Sequence, residues 1–226
     1  MSPARPIART AMTALSVLLF CAGCESNAYL RKIGQDALAE GRIDSAEPAL
    51  RRAIDQDPTD WKAQFLLGQV LLKKSEPFEA RQILENALAS RLDVHEKTSE
   101  IIDALAEAVY QEGDHDRLVN VLENACRDYG TPYDFLRQGR YLTRAGDVDG
   151  AVLAYRKAAR FAGRGDVRAY LKMADLFASL GDRPRAVEEL RTALAAAPNH
   201  RLVYEKLREF GVVPGPTLVD AAPRDR

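Results

Sequence analysis

The sequence predicts an all-α chain, an α-solenoid of about five stacked helical hairpins closed by a C-terminal capping helix. Three observations lead there. Ala53, Ala87, Ala125, Ala158 and Ala193 recur at spacings of 34, 38, 33 and 35 residues, each inside an apolar stretch of helical periodicity. Gly34, Gly68 and Gly139 recur at one phase ahead of them, each twelve residues before an alanine (Ala46, Ala80, Ala151). Breakers such as Gly41, Gly146, Gly181, Pro58 and Pro198 fall between the stripes. A repeat of this length marks units that bury their apolar faces only against neighbours. Such a fold offers a long groove more readily than a catalytic cleft.

The chain opens with Arg5 and Arg9, followed by an almost wholly apolar run of 15 residues from Thr10 to Cys24. As a helix this run spans about 22 Å, short of the roughly 30 Å of a bilayer's hydrocarbon core. It therefore reads as a targeting segment, residues 1–23. Ala22-Gly23-Cys24 resembles the lipobox of bacterial lipoproteins, with Cys21 where an aliphatic residue is usual. The resemblance implies cleavage before Cys24, a diacylglyceryl group on its thiol, and a short tether over residues 24–26. Glu25 is not the aspartate that this family associates with inner-membrane retention, so the outer membrane is favoured. The implied location is the periplasmic side of a bacterial envelope.

The five units follow, at about 27–60, 61–94, 99–131, 132–166 and 167–200. In the last, Tyr170, Met173, Ala174 and Phe177 form one helical stripe, Gly181-Asp182 breaks it, and Pro184 suits the first turn of a second helix. Ala186, Leu190 and Ala193 form the second stripe. The first unit repeats this with Leu30, Gly34 and Ala37, then Ala46, Leu50 and Ala53. The second and fourth do likewise around Gly68 and Gly139. A glycine inside a helix costs about 1 kcal/mol against alanine, so its recurrence predicts close packing at a helix crossing. The third unit has Leu118 where a small residue recurs elsewhere, and a wider crossing is expected there. Extra residues around Ser90–Glu96 predict a longer connector or an added turn of helix. Residues 201–210 predict a capping helix with Leu202, Leu207 and Phe210 inward, and residues 211–226 a flexible tail.

This grammar resembles the tetratricopeptide repeat. The small pair, the leucine or aromatic four residues after its second member, the late alanine and the closing proline agree. Gln64 and Gln138 at apolar positions depart from it. The resemblance implies a scaffold that binds other proteins or peptide segments, its first helices lining a concave face. Carried over, the groove residues are Arg31, Gln35, Phe65, Gln69 and Lys73, then Asp103, Glu107 and Tyr110. Tyr133, Leu136, Arg140 and Arg144 continue it, and Leu171, Lys172 and Asp175 end it. The stripe is expected to run basic, acidic, basic, with Phe65, Tyr110 and Tyr133 exposed as anchors. Some members of the family grip a C-terminal carboxylate with a Lys and Asn clamp. Here Leu66, Glu100 and Ala104 fill clamp positions, so none is expected.

Chemistry is otherwise absent from the pattern. His95, His115 and His200 lie apart, and Asp114-His115-Asp116 sits at a helix–helix turn where polar residues cap. No phosphate loop, paired-cysteine site or nucleophile elbow occurs. The expectation is no enzyme, no cofactor, no metal and no small-molecule substrate. The chain is 46% apolar and 29% charged. Without residues 1–23 it carries 30 basic and 33 acidic residues, which gives no reason to expect nucleic acid. Cys126 is then a lone thiol, and no disulfide framework is possible. Two functional readings remain: a scaffold assisting assembly of a pilus, secretin or outer-membrane complex, or an adaptor regulating a cell-wall or polysaccharide enzyme.

Overall fold

Eleven helices and no strand occur among the described residues, 26–90 and 95–213 of a computed structural model. They form five antiparallel hairpins: α1 (Asn27–Ala39) with α2 (Ile43–Gln56), α3 (Trp61–Lys73) with α4 (Pro77–Ser90), and α5 (His95–Glu112) with α6 (His115–Asp128). α7 (Pro132–Ala145) then pairs with α8 (Val148–Phe161), α9 (Arg168–Ser179) with α10 (Arg183–Ala196), and α11 (Arg201–Glu209) covers α10. Contacts run between sequence neighbours and between alternate helices α1, α3, α5, α7 and α9. The first helices thus stand side by side in one row, and the chain is an α-solenoid. The targeting segment, Cys24 and residues 214–226 of the tail lie outside the described residues.

Local chemistry sets the hairpins. Gly113, Gly146 and Gly181 take positive φ (77°, 83° and 75°), where a side chain would be strained, and each is followed by an aspartate. Asp114, Asp147 and Asp182 then accept a backbone N–H of the next helix at 3.0, 2.9 and 3.0 Å, ending one helix and starting another. Asp114 of the Asp-His-Asp cluster is thereby a cap. Thr131 and Asp134 make a reciprocal capping box at α7, with Pro132 in its first turn.

The recurrent glycines have a more specific partner than expected. An added Cβ at Gly34, Gly68 or Gly139 would lie 2.4–2.5 Å from Leu50, Leu84 or Tyr155. The large residue four positions beyond the facing alanine therefore lies on the glycine, and the alanine makes room for it. In the third hairpin Leu118 and Leu122 are both buried, and α5 and α6 make the sparsest backbone contact of the five pairs. α5, at 18 residues, is also the longest helix among the described residues. Apolar burial runs along the array in clusters: Leu30 and Ala53 at one end, Leu71, Leu84 and Val109 in the second and third hairpins, Phe135, Tyr155 and Phe177 in the fourth and fifth, and Leu190, Val203 and Leu207 under α11. No helix among the described residues is long and apolar enough to cross a membrane.

Candidate functional site: the concave face

Four cavities lie along the row of first helices. One of about 310 Å³ lies among Arg31, Gln35, Trp61, Lys62, Phe65, Leu66 and Lys97. The next, about 510 Å³, is lined by Leu38, Gln69, Leu72, Lys73, Asp103 and Glu107, among others. A third, about 340 Å³, lies between α7, α9 and α11, against Tyr133, Leu136, Arg140, Leu171, Lys172, Asp175, Leu202 and Lys206. The fourth, about 280 Å³, includes Arg140, Arg144 and Tyr155, the one residue that a second helix contributes to these four. The sequence-derived groove residues thus fall on one face, except that Tyr110 lines none of these cavities.

Three expectations about exposure are corrected. Leu202, expected inward on the capping helix, is 44% exposed and lines a cavity, and Phe65 and Tyr110 are not open anchors. Phe65 is only 8% exposed and Leu171 likewise, because the turn spacing that aims them at the groove also wedges them between adjacent first helices. Tyr110 is half-buried, its hydroxyl donating to the Arg144 carbonyl at 3.2 Å and its ring lying under the Arg144 guanidinium at 4.0 Å. Tyr133, 44% exposed, keeps an open ring but donates its hydroxyl to Asp103 at 2.7 Å.

Nor is the middle of the stripe a free acidic patch. Asp103 on α5 accepts from Arg137 Nε at 3.0 Å and from Arg140 Nη2 at 2.6 Å. Glu107 is gripped by both Arg144 nitrogens, one at 3.0 Å, and accepts from the Tyr141 hydroxyl at 3.2 Å. Arg144, with lesser help from Gln111 and Tyr141, holds the Glu107 carboxyl down to about 2. Burial pushes the Tyr141 phenol up, reinforced by the Glu107 charge.

Arg137, Tyr141, Ser99 and Asp134 complete this ladder, and sequence reasoning did not single them out. Arg137 is 2% exposed, yet it also donates to Asp134 Oδ1 at 2.7 Å and to the Ser99 carbonyl at 3.1 Å. The signal was present. Asp103 and Arg137 are 34 residues apart, as are Glu107 and Tyr141, and Tyr110 and Arg144. One period brings residues side by side on adjacent first helices, so complementary groups at that separation meet.

A pH effect follows from Glu107. Its folded value of about 2 lies below the ordinary 4.5, so its stabilisation is complete above pH 4.5 and disappears as pH falls through 2. With Glu107 partly open to solvent, the Glu107→Gln variant is expected to be less stable by roughly 1 kcal/mol at pH 7. Thermal melts from pH 7 to 2 should show that gap closing below pH 4.5. A gap that widened on acidification would contradict the ion pair.

Gln64, at an apolar position, is buried and donates its amide to the Pro58 carbonyl at 2.8 Å. Cys126 donates its thiol toward Gln138 Oε1 at 3.6 Å, and burial pushes that thiol up to about 11, so it is not an activated nucleophile. At the clamp positions Arg31 pairs with Asp60, Leu66 is apolar and Glu100 is taken by Lys97 at 2.8 Å.

Comparison with known proteins agrees with this geometry. Residues 31–93 and 167–200 each match a family model described as tetratricopeptide repeat. Among solved structures, MamA is similar with a TM-score of 0.58 at 20% identity, covering 84% of this chain and 98% of that one. YrrB, described as a TPR protein with an unusual peptide-binding site, gives 0.53 at 16% identity over 88% and 100%. Pseudomonas aeruginosa pilF gives 0.55 at 19% identity over 86% and 95%. These likenesses concern the fold. A 68-residue stretch is 37% identical to ALBINO3-like protein 3, mitochondrial, of Arabidopsis thaliana, and covers 30% of this chain. The chain spans only 12% of that relative's length. The two matches support tetratricopeptide repeats over those residues, and the structural neighbours show the same α-solenoid fold.

Proposed function

We propose that the protein is a non-enzymatic scaffold, anchored by lipid on Cys24 at the periplasmic face of a bacterial outer membrane. Its concave face would hold a protein partner during assembly of an envelope complex of the pilus, secretin or outer-membrane type. The observation that carries the binding role is the row of open cavities on the first helices, with aliphatic and aromatic floors and charged rims. The anchoring rests on the sequence Ala22-Gly23-Cys24. A diacyl anchor gives stable attachment, and α1 begins at Asn27, so the first hairpin would lie close to the headgroups.

In-cell cross-linking followed by affinity capture tests the reading. A Gln69→Arg and Leu202→Arg variant, altered at two cavities, is expected to lose partners while keeping its helical circular dichroism. Phe78→Arg on α4, a side chain 65% exposed on a second helix, should keep them. Equal loss from both variants would contradict a role for the concave face. Cys24→Ser should release the protein from membranes, and unchanged fractionation would remove the anchor.

A further inference from the structure

Resting on the scaffold reading above, we infer that the concave face binds an acidic peptide segment that carries bulky aliphatic side chains. The argument starts from which charges on that face already have partners. Asp103 and Glu107 are held by the α7 arginines, Glu100 by Lys97, and Asp175 by Lys206 at 2.5 Å. Every carboxylate lining the four cavities is thus neutralised from within the protein. The cations are not all matched in return. Lys62, Lys73 and Lys172 line these cavities and have no acid partner among the described residues. The whole chain has a formal charge of −1, so this positive excess is a property of the face and not of the composition.

The unpaired lysines stand beside apolar recesses. Lys172 shares its cavity with Leu136, Leu171 and Leu202, the last 44% exposed. Lys62 lies over the Trp61 ring at 5.5 Å, on the rim of the recess that also contains Leu66. Recesses of roughly this size admit an aliphatic side chain and release ordered water from it. An ammonium at the rim then rewards a carboxylate placed next to that side chain. Between the two recesses the ladder offers arginines that are already paired. That breaks any continuous cationic track, which a nucleic-acid backbone would need.

Selection of random 12-residue peptides on phage against the full chain, then fluorescence anisotropy of the enriched peptides, tests this. Enriched peptides are expected to be net negative and to contain Leu, Ile or Phe. Binding should weaken between 50 and 300 mM salt. Lys62→Glu with Lys172→Glu should weaken it about tenfold, whereas Arg191→Glu, an exposed residue on α10, should not. Enrichment of neutral or basic peptides that Leu202→Arg still blocks would overturn the acidic class and leave the groove standing. Peptides indifferent to every concave substitution, or no enrichment at all, would contradict both readings. Displacement of the peptides by oligothymidylate or by phosphatidylglycerol vesicles at equal affinity would overturn the choice of a peptide.

Discussion

Replacing Arg137 by alanine is expected to destabilise the array by about 3–5 kcal/mol, the range for removing one partner of a buried ion pair. The side chain is 1% exposed, and its guanidinium reaches Asp134 on its own helix and Asp103 and Ser99 on the preceding first helix. Truncation removes the cation paired with Asp134, which is itself 4% exposed, leaving that charge only its hydrogen bonds from Thr131, and the Ser99 carbonyl loses a donor. Arg137→Lys should rescue only part, because an ammonium cannot reach three directions with planar geometry. Arg137→Met combined with Asp134→Asn should recover more than either single change, since the buried charge goes while the Asn can still cap α7. Urea melts of the five variants, both single changes included, measure this. A loss near zero for Arg137→Ala would mean that α5 and α7 are not joined as described.

The second large effect is expected at Gly139. An added Cβ would stand 2.4 Å from Tyr155 Cε1 and 2.6 Å from Cδ1, and the Tyr155 ring, 2% exposed, has little space to retreat. Gly139→Val is expected to cost about 2–3 kcal/mol through overpacking. Gly139→Ala should also destabilise, although alanine alone favours the helix by about 1 kcal/mol. The sign should reverse in a Tyr155→Ala background. There the obstacle is gone, and Gly139→Ala becomes neutral or stabilising. Destabilisation of the same size in both backgrounds would show that glycine is needed for some reason other than the ring.

These two positions also show what the chain announces and what it conceals. Gly139, Gly68 and Gly34 betray the fold because a helix retains glycine only where packing demands it. The period of the alanines then fixes the order of the hairpins. The spacing places each glycine opposite the alanine twelve residues later, and the structure adds that the large residue at sixteen lies directly on the glycine. Hairpin register is legible to within one helical turn, and the contact is decided by side-chain size.

The concave face was legible as a set of positions and not as a set of states. Asp103 and Glu107 read as a free acidic stretch because α5, which carries both, has no basic residue within one turn of either. Their partners are a full repeat away, on a helix whose neighbourhood is a property of the stack. Phe65 fails as an exposed anchor for a related reason, since helical phase cannot say how deeply the next unit covers it. Arg137 is the strongest case: an arginine on a helix surface is expected in water, and only the facing Asp103 and Ser99 make its burial tolerable.

The central claim is that adjacent first helices lie in register and so create one continuous face. A double-mutant cycle on Glu107 and Arg144, 37 residues apart in sequence, tests it most directly. Thermal stability of the wild type, Glu107→Gln, Arg144→Gln and the double variant at pH 7 should give a coupling of about 1 kcal/mol. That coupling should fall toward zero at pH 2. No coupling at pH 7 would mean that the two helices do not meet there, and the face assembled from them would not exist.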